Sequence, residues 1–165
     1  MSEKFLSLLK KNPIAIKEGL SDILDQKSLD QIQNEINKNV KELFLLGVNH
    51  YNFAKTINSN DWRHKISRLY YAAYNIARSV RLHTFGYYST DSEDHKRIGD
   101  LPKDFPNQTR YATSLVDLRD DRNISDYDHT AKIEDTKLGI NDAYSLVEDF
   151  LKDADQYFKN KNVTI

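Results

Sequence analysis

The sequence predicts an all-α protein: an antiparallel up-and-down four-helix bundle with an extra N-terminal helical segment. Three observations lead there. Apolar residues recur at three- and four-residue steps along four long segments, the spacing of one helix face. Only 5 Gly and 3 Pro stand in 165 residues, too few for the many turns of a β-sandwich or barrel. The length is that of one domain able to bury its own core, and four apolar stripes facing one another would fill it. Residues 28–160 are expected to form this bundle and residues 1–27 an appendage to it.

Taken in order, a short helix is expected after Ser2 and a second after Asn12. Pro13 suits the first position of that second helix, where its missing N–H needs no partner, and Ile16, Leu20, Ile23 and Leu24 share one face. Ser28 with Gln31 three residues later reads as a capping box; Ile32, Ile36, Val40, Leu43, Phe44, Gly47, Tyr51 and Ala54 follow as the stripe of a helix running to about Thr56. The polar knot Asn58-Ser59-Asn60-Asp61 breaks the pattern. Ile66, Leu69, Tyr70, Ala73, Ala77 and Val80 then mark a helix ending near Phe85-Gly86.

From Tyr87 to Asn107 the periodicity lapses, and two of the three prolines fall there. A loop that long inside a compact domain is commonly a functional one. Pro106 is expected to open the next helix, with Tyr111, Leu115 and Leu118 leading to Arg122, and after the polar cluster Ser125 to Thr130 a last helix carries Ile140, Ala143, Tyr144, Val147, Phe150, Leu151, Ala154, Tyr157 and Phe158.

With no Cys there is no disulfide framework and no thiolate chemistry. The opening residues lack a secretory apolar core and cleavage site, and no run approaches the ~18 apolar residues of a membrane span, so a cytoplasmic protein with no membrane partner is expected. The formal net charge of −1 excludes bulk attraction to polyanions. Local charge is different: residues 61–83 carry +4, from Arg63, Lys65, Arg68, Arg78 and Arg81 against Asp61, while residues 132–155 carry −4. The positive segment is either a strip for phosphates, with Arg68 and Arg78 as its candidates, or one face of a bundle complementing the negative helix.

The segment Leu115 to His129 concentrates the chemistry. Arg122 stands seven residues after Leu115 and four after Leu118, on the row used for burial. A guanidinium there must find carboxylate or phosphate, because an unpaired buried charge costs several kcal/mol. His129 follows seven residues later, about 10.5 Å along and within roughly 20° of the same face if the helix continues. His-x-x-x-His and Glu-x-x-His pairs, Gly-rich phosphate loops and Gly-x-Ser-x-Gly are all missing, so neither a metal nor a cofactor is implied.

Three passages in this order resemble a HEPN domain, a small all-α module of prokaryotic toxin-antitoxin, CRISPR and abortive-infection systems. They are Arg68-Leu69-Tyr70-Tyr71-Ala72-Ala73-Tyr74-Asn75-Ile76-Ala77-Arg78, then Glu93-Asp94-His95-Lys96-Arg97-Ile98, then Leu118 to Asp128 with its Leu-x-x-x-Arg-x-x-x-Asp-Tyr-Asp ending. The resemblance covers residues 34–158, about three-quarters of the chain.

It implies a four-helix bundle that dimerises and, in active members, a metal-independent endoribonuclease, a toxin or antiviral-defence effector cleaving RNA at a homodimer cleft. The family signature, Arg then a polar residue then His after four to six residues, falls on Arg122, Asn123 and His129, with six residues between Arg and His. Members with the Asp-Tyr-Asp ending that lack the His imply the alternative, a non-catalytic module binding nucleic acid, a nucleotide or a minimal nucleotidyltransferase acting as antitoxin. Tyr71, His95, Asp126 and Tyr127 join Arg68 and Arg78 as candidate RNA- or phosphate-binding residues. Each residue also has a plain structural role open to it: Arg122 paired with Asp126 or Asp121, His129 at a helix boundary, His95 stabilising its loop, and the tyrosines packing.

Overall fold

The computed structural model describes residues 12–58, 60–86, 89 and 91–165; the short helix expected after Ser2 lies outside them. Among the described residues every element is helical: α1 Pro13–Gly19, α2 Gln26–Thr56, α3 Trp62–Phe85, a 3-10 turn Ser92–Arg97, α4 Gln108–Tyr127, a second 3-10 turn Ile133–Asp135, and α5 Ile140–Asn160. None of these helices is long and apolar enough to cross a membrane.

Local signals set most of the boundaries. Asn12 accepts a hydrogen bond from Ala15 N, with Pro13 next in line as expected. At α2 the cap is Asp25, whose carboxylate accepts from Ser28 N, so the helix begins before Ser28 and the expected capping box at Ser28 does not form its start. Gly86 ends α3 in the left-handed region, φ 67°, the conformation that Gly adopts without Cβ strain.

The expected opening of α4 at Pro106 is corrected: Pro106 sits in a turn, with Gln108 N donating to Phe105 O, and the helix begins at Gln108. It also runs past Arg122 to Tyr127, where Asp128 caps it by donating its N–H to Ile124 O. The poor helix formers Asp126 and Tyr127 are carried into the helix by their contacts with Arg122.

α3 is the hub of the bundle, packing against α2, α4 and α5. It is buried beyond its expected stripe, since Ala72, Ile76 and Leu82 are each fully covered too. Small residues permit this. At Gly47 of α2 a Cβ would stand 2.8 Å from Ala72 O and 2.6 Å from an Ile76 side-chain carbon, so the α2–α3 backbones meet at a distance that only Gly allows. On the other flank α5 supplies the aromatic core, where Phe150 packs at 4.9 Å from the Tyr111 ring and 5.5 Å from Phe105. α1 lies on α2, tied by Lys17 Nζ donating to Gln33 Oε1, and Asn12 Nδ2 donates to Phe85 O at the end of α3.

Two loops are pinned by buried ionic groups. Asp121 on α4 is fully buried and accepts the backbone N–H groups of Lys137 and Leu138 at 2.7 and 2.8 Å, which fixes the segment before α5. Asp94 in the first 3-10 turn accepts from Arg81 Nη2 at 2.9 Å and from the Tyr74 hydroxyl at 3.0 Å, and Arg81 Nη1 also donates to Arg97 O. That network anchors the long loop against α3 and aims its next residue, His95.

Candidate functional site

α3, the first 3-10 turn and the C-terminal half of α4 enclose an open cleft of about 430 Å³, lined by Tyr70, His95, Lys96, Arg119, Arg122, Asn123 and Tyr127. Its wall holds two arginines, a lysine and a histidine, and no carboxylate. A larger cleft of about 550 Å³ at the start of α5 is lined by Lys65, Ile133, Gly139, Ile140, Asn141, Asp142 and Tyr144. It gathers one cation and one anion without a convergent set of polar groups, so size is outweighed by chemistry.

Arg122 stands at the back of the basic cleft, its side chain 15% exposed. Nη2 donates to the Tyr71 hydroxyl at 2.8 Å, and Nη1 donates to Asn123 Oδ1 and the Tyr127 hydroxyl, both at 3.2 Å. Nε approaches Asp126 Oδ2 at 2.7 Å as an ion pair, off the N–H direction, so the Nε–H makes no hydrogen bond. The guanidinium also lies 5.1–5.6 Å from the ring centres of Tyr70, Tyr71 and Tyr127. Burial works against its charge, but Tyr71, Asp126 and Tyr127 outweigh it and raise its pKa. Asp126 is the carboxylate that a cation on this apolar row requires.

His95 forms the opposite wall. Its ring stacks on Tyr74 at 4.3 Å and 16°, and Nδ1 shares a 2.5 Å hydrogen bond with the Tyr70 hydroxyl. Burial first, then the positive charge of Arg122, pull its pKa below the usual histidine value, so the ring is neutral at pH 7. Burial, helped by Asp94, pushes the Tyr74 hydroxyl up to about 12 and keeps it a donor.

The other expected site residues divide. Asn123 and Tyr127 line the cleft, and Asp126 and Tyr71 hold Arg122 from beside and behind. Arg78 turns to Ser89 O and Asp94, and Arg68 lies over the Phe53 ring at 5.3 Å; neither lines the cleft. His129 is exposed in the turn beyond α4, outside the cleft lining. That turn is held by Arg63, whose Nη1 donates to Ser125 O and Asp128 O and Nη2 to Ala131 O, at 2.6–2.8 Å. Three of the five cations of the positive segment thus serve the fold: Arg63 satisfies carbonyls at a helix C-terminus, and Arg78 and Arg81 neutralise Asp94.

Arg119 and Lys96 were not among the expected contacts. Arg119 precedes Arg122 by three residues, a spacing that places both on one helix face and could have flagged it; Lys96 had no such signal, because a loop carries no period. Among the described residues no cluster of three potential metal ligands occurs.

Neither the models of known protein families, nor curated proteins, nor solved structures contain a match to this chain.

Proposed function

We propose that this chain is a HEPN-type endoribonuclease of the cytoplasm, which engages RNA in the Arg122 cleft and cleaves it without a metal, working as a homodimer. One observation carries the reading: Arg119, Arg122 and Lys96 converge with Asn123, His95 and two tyrosines on one wall, while their carboxylate partners Asp120, Asp126 and Glu93 stay outside its lining. Such a surface suits a single-stranded polyanion, since arginine forks grip phosphate and aromatic rings accept bases. The partners of Arg122 on its open side are replaceable. Asn123 and Tyr127 are exposed and bond at 3.2 Å, so a phosphate oxygen can take their place while Tyr71 and Asp126 keep the guanidinium aimed.

A second reading, RNA binding without cleavage, is favoured by the position of His129 outside the cleft lining. One experiment separates the two. The purified chain is incubated with mixed single-stranded RNA in EDTA, and both complex formation and 2′,3′-cyclic phosphate ends are measured for wild type, Arg122→Lys, Arg122→Ala and His129→Ala. Cleavage by wild type, with binding weakened at least tenfold in Arg122→Ala and partly restored in Arg122→Lys, supports the first reading. Binding without new ends supports the second. No binding at low ionic strength overturns both.

A further inference from the structure

We propose that His95, rather than a histidine beyond α4, is the catalytic base of the Arg122 cleft, with Tyr70 as its positioning residue. This rests on the reading of the cleft as an RNA site. The imidazole is held from three sides: the Tyr74 ring beneath it, the Tyr70 hydroxyl on Nδ1, and the preceding Asp94 locked by Arg81, Arg78 and Tyr74. Among the described residues nothing bonds Nε2, and the ring lines the same cleft as Arg122. A base whose other nitrogen is fixed by a third group is the arrangement that activates a hydroxyl.

In the step this implies, Nδ1–H donates to the Tyr70 oxygen and Nε2 accepts the proton of a ribose 2′-OH. O2′ forms a bond to phosphorus and the P–O5′ bond breaks, leaving a 2′,3′-cyclic phosphate. The departing 5′-oxygen takes a proton from water, and the imidazolium returns its proton to the hydroxide so formed, so nothing is consumed. Arg122, with Arg119 and Lys96 beside it, faces the charge that builds on the non-bridging oxygens.

The charged and titratable groups around His95 come from every element packed on it. Arg78, Arg81, Tyr70 and Tyr74 lie on α3, Glu93, Asp94, Lys96 and Arg97 on its own turn, and Arg119 and Arg122 on α4. Burial and the arginines hold the ring neutral, Asp94 opposing them, which is the form a base requires.

The test measures cleavage in EDTA, RNA binding and thermal unfolding for wild type, His95→Gln, His95→Ala, Tyr70→Phe and His129→Ala. In His95→Gln kcat falls about a hundredfold, while RNA affinity and the unfolding midpoint stay close to wild type. Added imidazole restores cleavage to His95→Ala. Wild type shows an acid limb in kcat/KM that Tyr70→Phe displaces and His95→Gln abolishes. Wild-type rates in His95→Gln, or loss of cleavage in His129→Ala alone, overturn the proposal. Wild-type chain that binds RNA but leaves it intact overturns it too while sparing the RNA site; absence of binding removes both.

Discussion

Two arginine–aspartate pairs, built from the same groups, do different work in this molecule. Arg81 and Asp94 are each 3% exposed and close on one another through Nη2 at 2.9 Å, with Arg97 O, Tyr74 and Arg78 around them. Arg122 and Asp126 are 15% and 26% exposed, sit one helical turn apart, and meet through Nε at 2.7 Å, leaving Nη1 toward the cleft mouth. The inner pair has its aspartate spent on anchoring a loop. The outer one orients a cation toward solvent. Exposure, not composition, separates a fastening from a binding group.

The sharpest way to break this contrast is to remove one arginine at a time. Arg81→Ala leaves the buried Asp94 carboxylate only the more distant Arg78 and the Tyr74 hydroxyl, and should cost about 3 kcal/mol of stability, read as a lower urea midpoint. The loop should loosen with it, and the ring signals of His95 should broaden. Arg122→Ala leaves Asp126 at a wet rim and should cost about 1 kcal/mol, yet it removes the central phosphate contact. Equal losses of stability from the two substitutions would erase the distinction drawn between the pairs.

Salt gives a smaller but more specific effect. If Arg119, Arg122 and Lys96 each meet a phosphate, log K for single-stranded RNA should fall with log salt at a slope of about −2, and Arg122→Ala should lessen it by about 0.7. Arg78→Ala, on the inner network, should leave the slope unchanged.

The smallest effect is the pH dependence of folding. His50, His83 and His95 all have pKa values lowered from 6.5, in each case chiefly by burial, with Arg68, Lys161 and Arg122 respectively adding to it. The unfolded chain therefore binds more protons than the folded one below about pH 7. Their contribution is fully present above the unfolded pKa and is lost as pH falls through 6.5 toward the folded values. The unfolding midpoint should drop between pH 7 and pH 5, and His83→Gln, replacing a ring that packs on Phe158 rather than in the cleft, should flatten part of that drop.

Much of this was legible in the chain itself. The stripe from Ile32 to Ala54 gave α2, and Gly86 its place at the end of α3, because helix period and backbone conformation are local properties. Arg122 stood out because a charge on an apolar row demands a partner. What stayed hidden depends on tertiary distance. The burial of Arg81, the use of Arg63 on three carbonyls 62–68 residues away, and the stacking of His95 between tyrosines all join elements with no common period. The positive charge of residues 61–83 misled for the same reason: sequence counts charges, and only the fold shows which are already spoken for.

The central position of α3 also bears on how the chain is made. Synthesis delivers α2 and α3 together, and Gly47 lets that hairpin close as soon as it emerges. The side of α3 that receives α4 and α5 then stays bare until residues 108–160 follow, several seconds at ordinary elongation rates. During that interval the interior is half-built and the cleft does not exist, since Tyr70 is waiting for Arg122. A nascent chain stalled before α4 would therefore be sticky and inert at once, and binding competence would arise only when the C-terminal helices dock.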